Sequence, residues 1–207
     1  EYLLEQVDLD RADLFSVEGP VNLHRLAAMV EAVDERTDLR FPEFVPSTPR
    51  RLQLSGDLFE TIQRGDLLLH HPYESFAPVI DLVRQASQDP NVLAIKQTLY
   101  RTDSDTPLVN ALIGAARAGK EVTAVVELRA RFDEAANIDL ANRLQEVGAN
   151  VVYGIVGYKT HAKMLMVVRR EGARLRRYCH LGTGNYHLKT ARAYTDIGLL
   201  TCNREIG

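Results

Sequence analysis

The chain has little of what would mark a secreted, membrane-spanning or nucleic-acid-binding protein. Among its 207 residues only Cys179 and Cys202 are cysteines, and they lack metal-ligand spacing. A lone pair is weak support for a disulfide, so a reduced, cytosolic setting is expected. No apolar run approaches the length of a bilayer span, and no signal-peptide pattern is present. Neither sign of charge dominates: 25 Lys and Arg stand against 28 Asp and Glu, for a net charge of −3, and nothing in that total favours nucleic acid. Low-complexity segments and convincing internal repeats are also missing. What is there suits a globular core, with 45% hydrophobic residues in a length sufficient for one good-sized domain, or one domain plus a piece of another. The chain begins at Glu1 without a methionine and stops at Ile206-Gly207 just after a strand-like segment, which leads us to expect a fragment of a longer protein.

Residues 1–46 differ in character from the rest. Val21 to Val30 has helical periodicity, with Pro20 near its start and Asn22 as a candidate cap. Three prolines in Phe41–Pro49 read as an extended connector, and a boundary is expected there. Beyond it, helical and β-rich runs alternate. Ser75–Ser87 is amphipathic, and Val92–Tyr100 reads as a strand. Pro107–Ala118 is a helix with Thr106 as candidate N-cap and Gly119 at its end. Glu121–Leu128 is a strand, Asp133–Val147 a helix stopped by Gly148, and Asn150–Tyr153 a strand. This βαβαβ order implies parallel strands with helices packed on the sheet. Lys163–Val168 and Leu175–Leu181, joined by Arg169–Arg174, read as an antiparallel hairpin, and Ile197–Thr201 as a final strand. The expected fold is therefore α/β, a mixed sheet flanked by helices, with active residues at strand ends and adjoining loops.

The most informative stretch is Tyr158-Lys159-Thr160-His161-Ala162-Lys163, ahead of the apolar run Met164–Val168. In a strand the period of two puts His161 and Lys163 on one face. An imidazole is a nucleophile near neutral pH, and a neighbouring ammonium can hold a phosphate oxygen. Downstream, His180-Leu181-Gly182-Thr183-Gly184-Asn185 offers backbone N–H groups and a side-chain amide to an anion. Together these suggest chemistry on phosphorus through a covalent histidine. The plainer reading of His161 is an inert histidine capping a strand. His180 either tunes His161, contacts phosphate, or is simply packed. Arg101 and Arg131 each follow a parallel strand, where a guanidinium can grip phosphate through two N–H bonds; the alternative is surface pairing with Asp103, Asp105 or Asp133. Asp133 and Glu134 suit a helix start. His70 and His71 precede Pro72 at a strand end, where a structural role is the simpler one, and His24 and His187 have no constellation around them. The cluster Arg169, Arg170, Arg174, Arg176 and Arg177 is either a solvated hairpin or a guide for an anionic polymer.

His161-Ala162-Lys163 followed by Gly182-Thr183-Gly184-Asn185 resembles the His-x-Lys and Gly-Ser/Thr-x-Asn elements of the phospholipase D fold. Val168 stands where that fold usually carries an acidic residue, which argues against a hydrolase or phosphatidyl transferase. A longer series is more specific: Asp66–Tyr73, Ile95–Arg101, the segment from Glu127 to Asn137, Lys159–Lys163, His180–Asn185 and Thr190–Asp196. In this order it resembles the long, multi-domain polyphosphate kinases, over residues 1–207 and most strongly over 66–201. The resemblance implies a first phospholipase-D-like catalytic domain at 47–207, preceded at 1–46 by the end of a helical domain and a linker. It implies reversible transfer of the γ-phosphoryl group of ATP to polyphosphate through a phosphohistidine, with Mg²⁺. Implied partners are ATP/ADP, polyphosphate and the rest of the parent chain, with a homo-oligomer in the full-length protein, no nucleic acid, and a cytoplasmic location associated with the membrane periphery. His161 occupies the phosphohistidine position and His180 that of a second histidine. Lys163 is read as neutralising the transferred phosphate and Asn185 as donating to a phosphate oxygen or orienting His161; Tyr194 matches a nucleotide-contacting position, its plainer reading being a half-buried sheet aromatic. Arg101 and Arg131 match positions that the family associates with magnesium; guanidinium has no lone pair for a cation, so they are expected to clamp phosphates that hold the metal. The isolated fragment is expected to be nearly inactive. The rival readings are a phospholipase-D-like phosphodiesterase and a non-catalytic polyanion-binding module.

Overall fold

The structure is a computed structural model that describes residues 2–33, 35–53, 56–100, 105–127, 134–154 and 157–207. The chain divides into two compact units, Glu1–Phe44 and Val45–Gly207. The first holds helices α1 (Tyr2–Gln6) and α2 (Ala27–Ala32), a 3₁₀ turn at Leu23–Leu26 before α2, and no buried described residue. Asn22 precedes that turn in a left-handed conformation and its side chain makes no capping bond, so the expected cap is positional only.

In the second unit, short helices α3 (Arg50–Gln53) and α4 (Leu58–Gln63) lead into β1 (Leu67–His71). Asp57 caps α4 by accepting from the N–H groups of Phe59 and Glu60. Helix α5 (Ala77–Gln88) buries Val79, Ile80, Leu82, Val83 and Ala86, the spacing of one helical face. It is followed by β2 (Val92–Leu99), α6 (Pro107–Arg117), β3 (Glu121–Val126), α7 (Glu134–Glu146) and β4 (Asn150–Val152). Thr106 Oγ1 accepts from Val109 N at 3.3 Å, Pro107 fills the first turn, and Gly119 leaves α6 with φ +81°. The chain then runs through β5 (Lys163–Glu171), β6 (Arg174–Gly182), α8 (Leu188–Ala193) and β7 (Asp196–Thr201). The hairpin strands are longer than expected: only Gly172 and Ala173 separate them, and Arg169, Arg170 and Arg174 lie in the strands. Helices α3, α4 and α8 are short polar-flanked segments with too few turns to establish a period, so sequence periodicity passes over them.

The sheet order is β1-β7-β6-β5-β2-β3-β4. Strands β2, β3 and β4 are parallel and all the other pairings are antiparallel. Helices α4 to α7 pack on the sheet and on one another, around a core that includes Ile95, Leu99, Leu112, Leu144 and Leu165. This topology has one consequence for chemistry. The carboxyl ends of β1, β2, β3, β4 and β6 and the amino ends of β5 and β7 all reach the same edge: His71 pairs with Asp196, Gly182 with both Gly198 and Lys163, and Gln97 with Leu165. That edge is where ligands bind in open α/β sheets. The tip of the β5–β6 hairpin lies at the opposite edge.

Strand β5 alternates buried Leu165 with half-exposed Met164. Leu165→Ala is expected to destabilise the fold by about 2–5 kcal/mol, and Met164→Ala by less than about 1 kcal/mol. Urea unfolding of the two variants checks the assignment of faces; equal losses would contradict it.

Candidate functional site

At the shared edge, the loop before β5 carries His161 in the open, while Lys163, the first residue of the strand, is buried. The two side chains meet. Lys163 Nζ is 3.0 Å from His161 Nδ1 and 3.1 Å from Nε2, and it donates to the His161 carbonyl at 2.6 Å. His161 lies just outside the strand, so the contact arises from Lys163 folding back rather than from strict alternation. The ring of Tyr100 covers the pair: its centroid is 5.6 Å from that of His161, 5.4 Å from Lys163 Nζ and 5.6 Å from Lys159 Nζ. Burial pushes the Lys163 ammonium below the ordinary lysine range, and the nearby Asp196 carboxylate partly opposes that shift.

The loop is held from β3. Glu127, buried at that strand's carboxyl end, accepts from Thr160 N at 2.6 Å, and Asn137 of α7 donates to the Glu127 carbonyl at 3.0 Å. Gly154, at φ +47°, passes so close that a Cβ would sit 3.3 Å from Thr160 Oγ1. Tyr100, Glu127 and Asn137 lie inside the motifs quoted above, but single residues in a β-rich run carry no signal that tells a positioning group from a packed one.

His180 belongs to a separate cluster. It is buried, and its Nδ1 lies 2.8 Å from the Tyr186 hydroxyl. His71, also buried, donates from Nδ1 to the Glu74 carbonyl at 2.8 Å, since a carbonyl can only accept. The Nε2 atoms of both rings lack a protein partner and face the space beside Gly198, where a Cβ would lie 2.6 Å from His180 Nε2 and 3.5 Å from His71 Nε2. Asn185 and Asp196 line the same small cavity. Among the described contacts none joins the rings of His161 and His180, so the sheet gives them different neighbours. His71 is the histidine of the His70-His71 pair that faces inward, while His70 is exposed beside Tyr73.

The Gly182–Asn185 turn is partly committed. Thr183 N donates to the Ile197 carbonyl at 3.0 Å, and Thr183 Oγ1 donates to Asp196 at 2.8 Å, so Thr183 N–H is taken by the sheet and is not offered to an anion. A side chain at Gly184 would run into the Asp196 carboxylate. Asp196 thus acts on both Lys163 and the turn, a role that the sequence did not single out. His187 has a partner after all: it caps α8 through Thr190 N. Tyr194 follows α8 with its side chain exposed. Arg101, Arg131, Asp103 and Asp133 lie outside the described residues, as does the side chain of Glu134. Val168 pairs with Ala94 and Arg177 within the sheet. Among the described residues no helix is long and apolar enough to cross a membrane, and no three His, Cys, Asp or Glu side chains converge where a metal ion could sit.

Burial, with His71 adding to it, pulls the pKa of His180 down to about 3. The unfolded chain binds that proton below its ordinary value of about 6.5 and the folded chain does not, so stability falls as pH drops from about 6.5 towards 3. One such group contributes a slope on the order of 1.4 kcal/mol per pH unit across that window. His180→Gln is expected to flatten the acid limb of stability, read by denaturant midpoints against pH; an unchanged limb would assign it to other groups.

Comparison with known proteins accords with this geometry. Residues 57–207 match the family model "Polyphosphate kinase C-terminal domain 1". The chain is 58% identical over 202 residues to the polyphosphate kinase of Pseudomonas aeruginosa, covering 98% of this chain and 29% of that protein. It is likewise 58% identical over 205 residues to that of Xylella fastidiosa, covering 99% and 29%. The chain therefore spans under a third of these relatives' length. Among solved structures, the polyphosphate kinase of Porphyromonas gingivalis superposes with a TM-score of 0.75 at 34% identity, covering 95% of this chain and 32% of that one. Nuc of Salmonella typhimurium, a phospholipase D family member, shares the fold at a TM-score of 0.51 and 17% identity, covering 67% and 83%. The matched family model, the identity along nearly the whole chain and the shared fold lead to one conclusion: this chain belongs to the polyphosphate kinase family.

Proposed function

We propose that this chain is a catalytic portion of an enzyme that reversibly transfers the γ-phosphoryl group of ATP to polyphosphate, with His161 as the carrier. The observation behind the proposal is an exposed imidazole whose ring nitrogens are in contact with a buried ammonium. In the first step a His161 ring nitrogen attacks the γ-phosphorus through its lone pair. An N–P bond forms, the bond to the bridging oxygen breaks, and its electron pair leaves on ADP. In the second step a terminal oxygen of polyphosphate attacks the same phosphorus, and the imidazole recovers its pair.

Lys163 turns from the ring to the phosphoryl oxygens as they approach and offsets their charge. Its anchoring at the His161 carbonyl keeps it within reach. Glu127 is a positioning residue, acting through Thr160 N to hold the loop at one height above the sheet. Asn185 donates to a phosphate oxygen from the second cluster, and His180 supports that cluster. Tyr194 supplies an aromatic face for the nucleotide base, and Arg101 and Arg131 grip phosphates. A Mg²⁺ ion held through those phosphates would add to the charge neutralisation that Arg101 and Arg131 supply from the protein side. The domains are assigned as the end of a helical domain at 1–46 and a phospholipase-D-like catalytic domain at 47–207. Phosphoryl transfer depends on positioning as much as on the nucleophile, so the isolated chain, with one nucleotide contact of its own, is nearly idle without the rest of its parent.

In the full-length parent, His161→Ala is expected to abolish both labelling by γ-labelled ATP and polymer synthesis, with loss of several orders of magnitude because the covalent route disappears. The label should survive base and be lost in acid. Base-labile, acid-stable label, or near-parental synthesis by the variant, would overturn the assignment.

If the Lys163 ammonium is required, its depressed pKa sets where activity falls as pH rises: the alkaline limb of kcat should lie below the ordinary lysine value of about 10.4. Lys163→Arg, always charged, should lower kcat and move that limb upward. A limb at the same pH in both proteins would assign it to another group.

A further inference from the structure

The far edge of the sheet carries a feature that the proposed chemistry leaves unused. Around the β5–β6 hairpin tip lies a cavity of about 620 Å³, lined by Arg174, Arg176, Arg177 and Arg204 with Glu171, Leu175 and Cys202. Four arginines and one carboxylate thus line it, in a chain whose net charge is −3. That carboxylate is already committed. Glu171 accepts from Arg176 Nε at 2.6 Å, Arg169 Nη1 at 3.1 Å, Gln63 Nε2 at 2.9 Å and the Tyr178 hydroxyl. No carboxylate pairs with Arg174, Arg177 or Arg204 among the described residues, and all three are exposed.

The backbone adds to this. Strand β7 pairs with β6 only from Cys179 to Gly182, whereas β5 pairs with it along its whole length. Among the described residues no strand pairs the outer edge of Arg174–Tyr178. Charge on an open edge protects it from strand addition, but that role needs no cavity and no arginine from beyond the sheet, as Arg204 is. Planar guanidinium forks around one cavity are a recognition surface for phosphate.

We infer that this pocket is a second binding site for the polyphosphate chain, separate from the site of transfer. The inference rests on the proposed activity for the identity of its ligand. Lys163 and Glu171 stand at the two ends of β5, roughly 26 Å apart at the ~3.3 Å rise per residue of a strand. Tripolyphosphate cannot touch both ends of that span, and a long polymer can. A chain held at the tip raises the effective concentration of its end at His161, so the pocket favours long polymer over short primer. It leaves ATP untouched.

The test uses the full-length parent and its triple variant R174Q/R177Q/R204Q, with a triple Lys variant at the same positions as the charge-preserving control. Binding of long-chain polyphosphate and of tripolyphosphate is measured without ATP, at several salt concentrations. Three lost surface contacts should weaken long-chain binding on the order of 10-fold. The slope of log K against log salt should fall by about 2, at about 0.7 per phosphate contact of a single-stranded polyanion. Tripolyphosphate binding should weaken less than long-chain binding, the KM for ATP with a short primer and the thermal midpoint should not change, and the Lys variant should recover part of the long-chain affinity. Unchanged long-chain affinity and salt slope, or equal weakening for both chain lengths, would overturn the inference. A parent that makes no polymer from ATP would instead remove the catalytic proposal, while the binding comparison would still decide the pocket.

Discussion

The Lys163 ammonium is buried at the first residue of β5, and much of the site is arranged around the difficulty of keeping a cation there. A charge taken out of water must find partners or lose its proton. Lys163 finds the His161 carbonyl, the His161 ring, the face of Tyr100 and the field of Asp196. These come from three parts of the edge: His161 from the loop before β5, Tyr100 from just after β2 and Asp196 from the start of β7. Satisfying the cation therefore ties these segments together, and it sets the exposed imidazole beside a positive charge.

The two histidines marked by the motifs occupy unlike environments. His161 is open to solvent and touches a cation. His180 is buried beneath the Gly182–Asn185 turn, bonded to Tyr186 and adjoining His71. A group with a pKa held near 3 is neutral at every physiological pH, so His180 is suited to shaping the turn and unsuited to carrying protons. Glycine at 198 makes this arrangement possible, since any side chain there would meet the ring. The turn above it is in turn fastened by Thr183 and Asp196 to the start of β7.

Opposite ends of the same hairpin differ in charge and pairing. At one end β5 and β6 bring Lys163 and Gly182 to the candidate site. At the other, a single carboxylate, Glu171, gathers Arg169, Arg176, Gln63 and Tyr178, and among the described residues no carboxylate pairs with Arg174, Arg177 or Arg204.

The order of the central elements was legible because periodicity and caps are local: Thr106, Pro107 and Gly119 frame α6, and the β-branched run Val122–Val126 reads as a strand without any knowledge of its neighbours. The motif around His161, the hairpin and the family were legible for the same reason, as residue types at fixed spacing. Where the chain pairs with itself over long separations, the sequence was silent. It could not show that β1 and β7 complete the sheet, that His71 turns inward to His180, or that Glu127 reaches across to Thr160. Nor could it show that His161 and Lys163 meet because a buried lysine folds back on a residue outside its strand. Spacing determines which side chains share a face of one segment. Which segments share an edge is decided by burying the apolar faces of helices and strands together, and that choice depends on the whole chain at once.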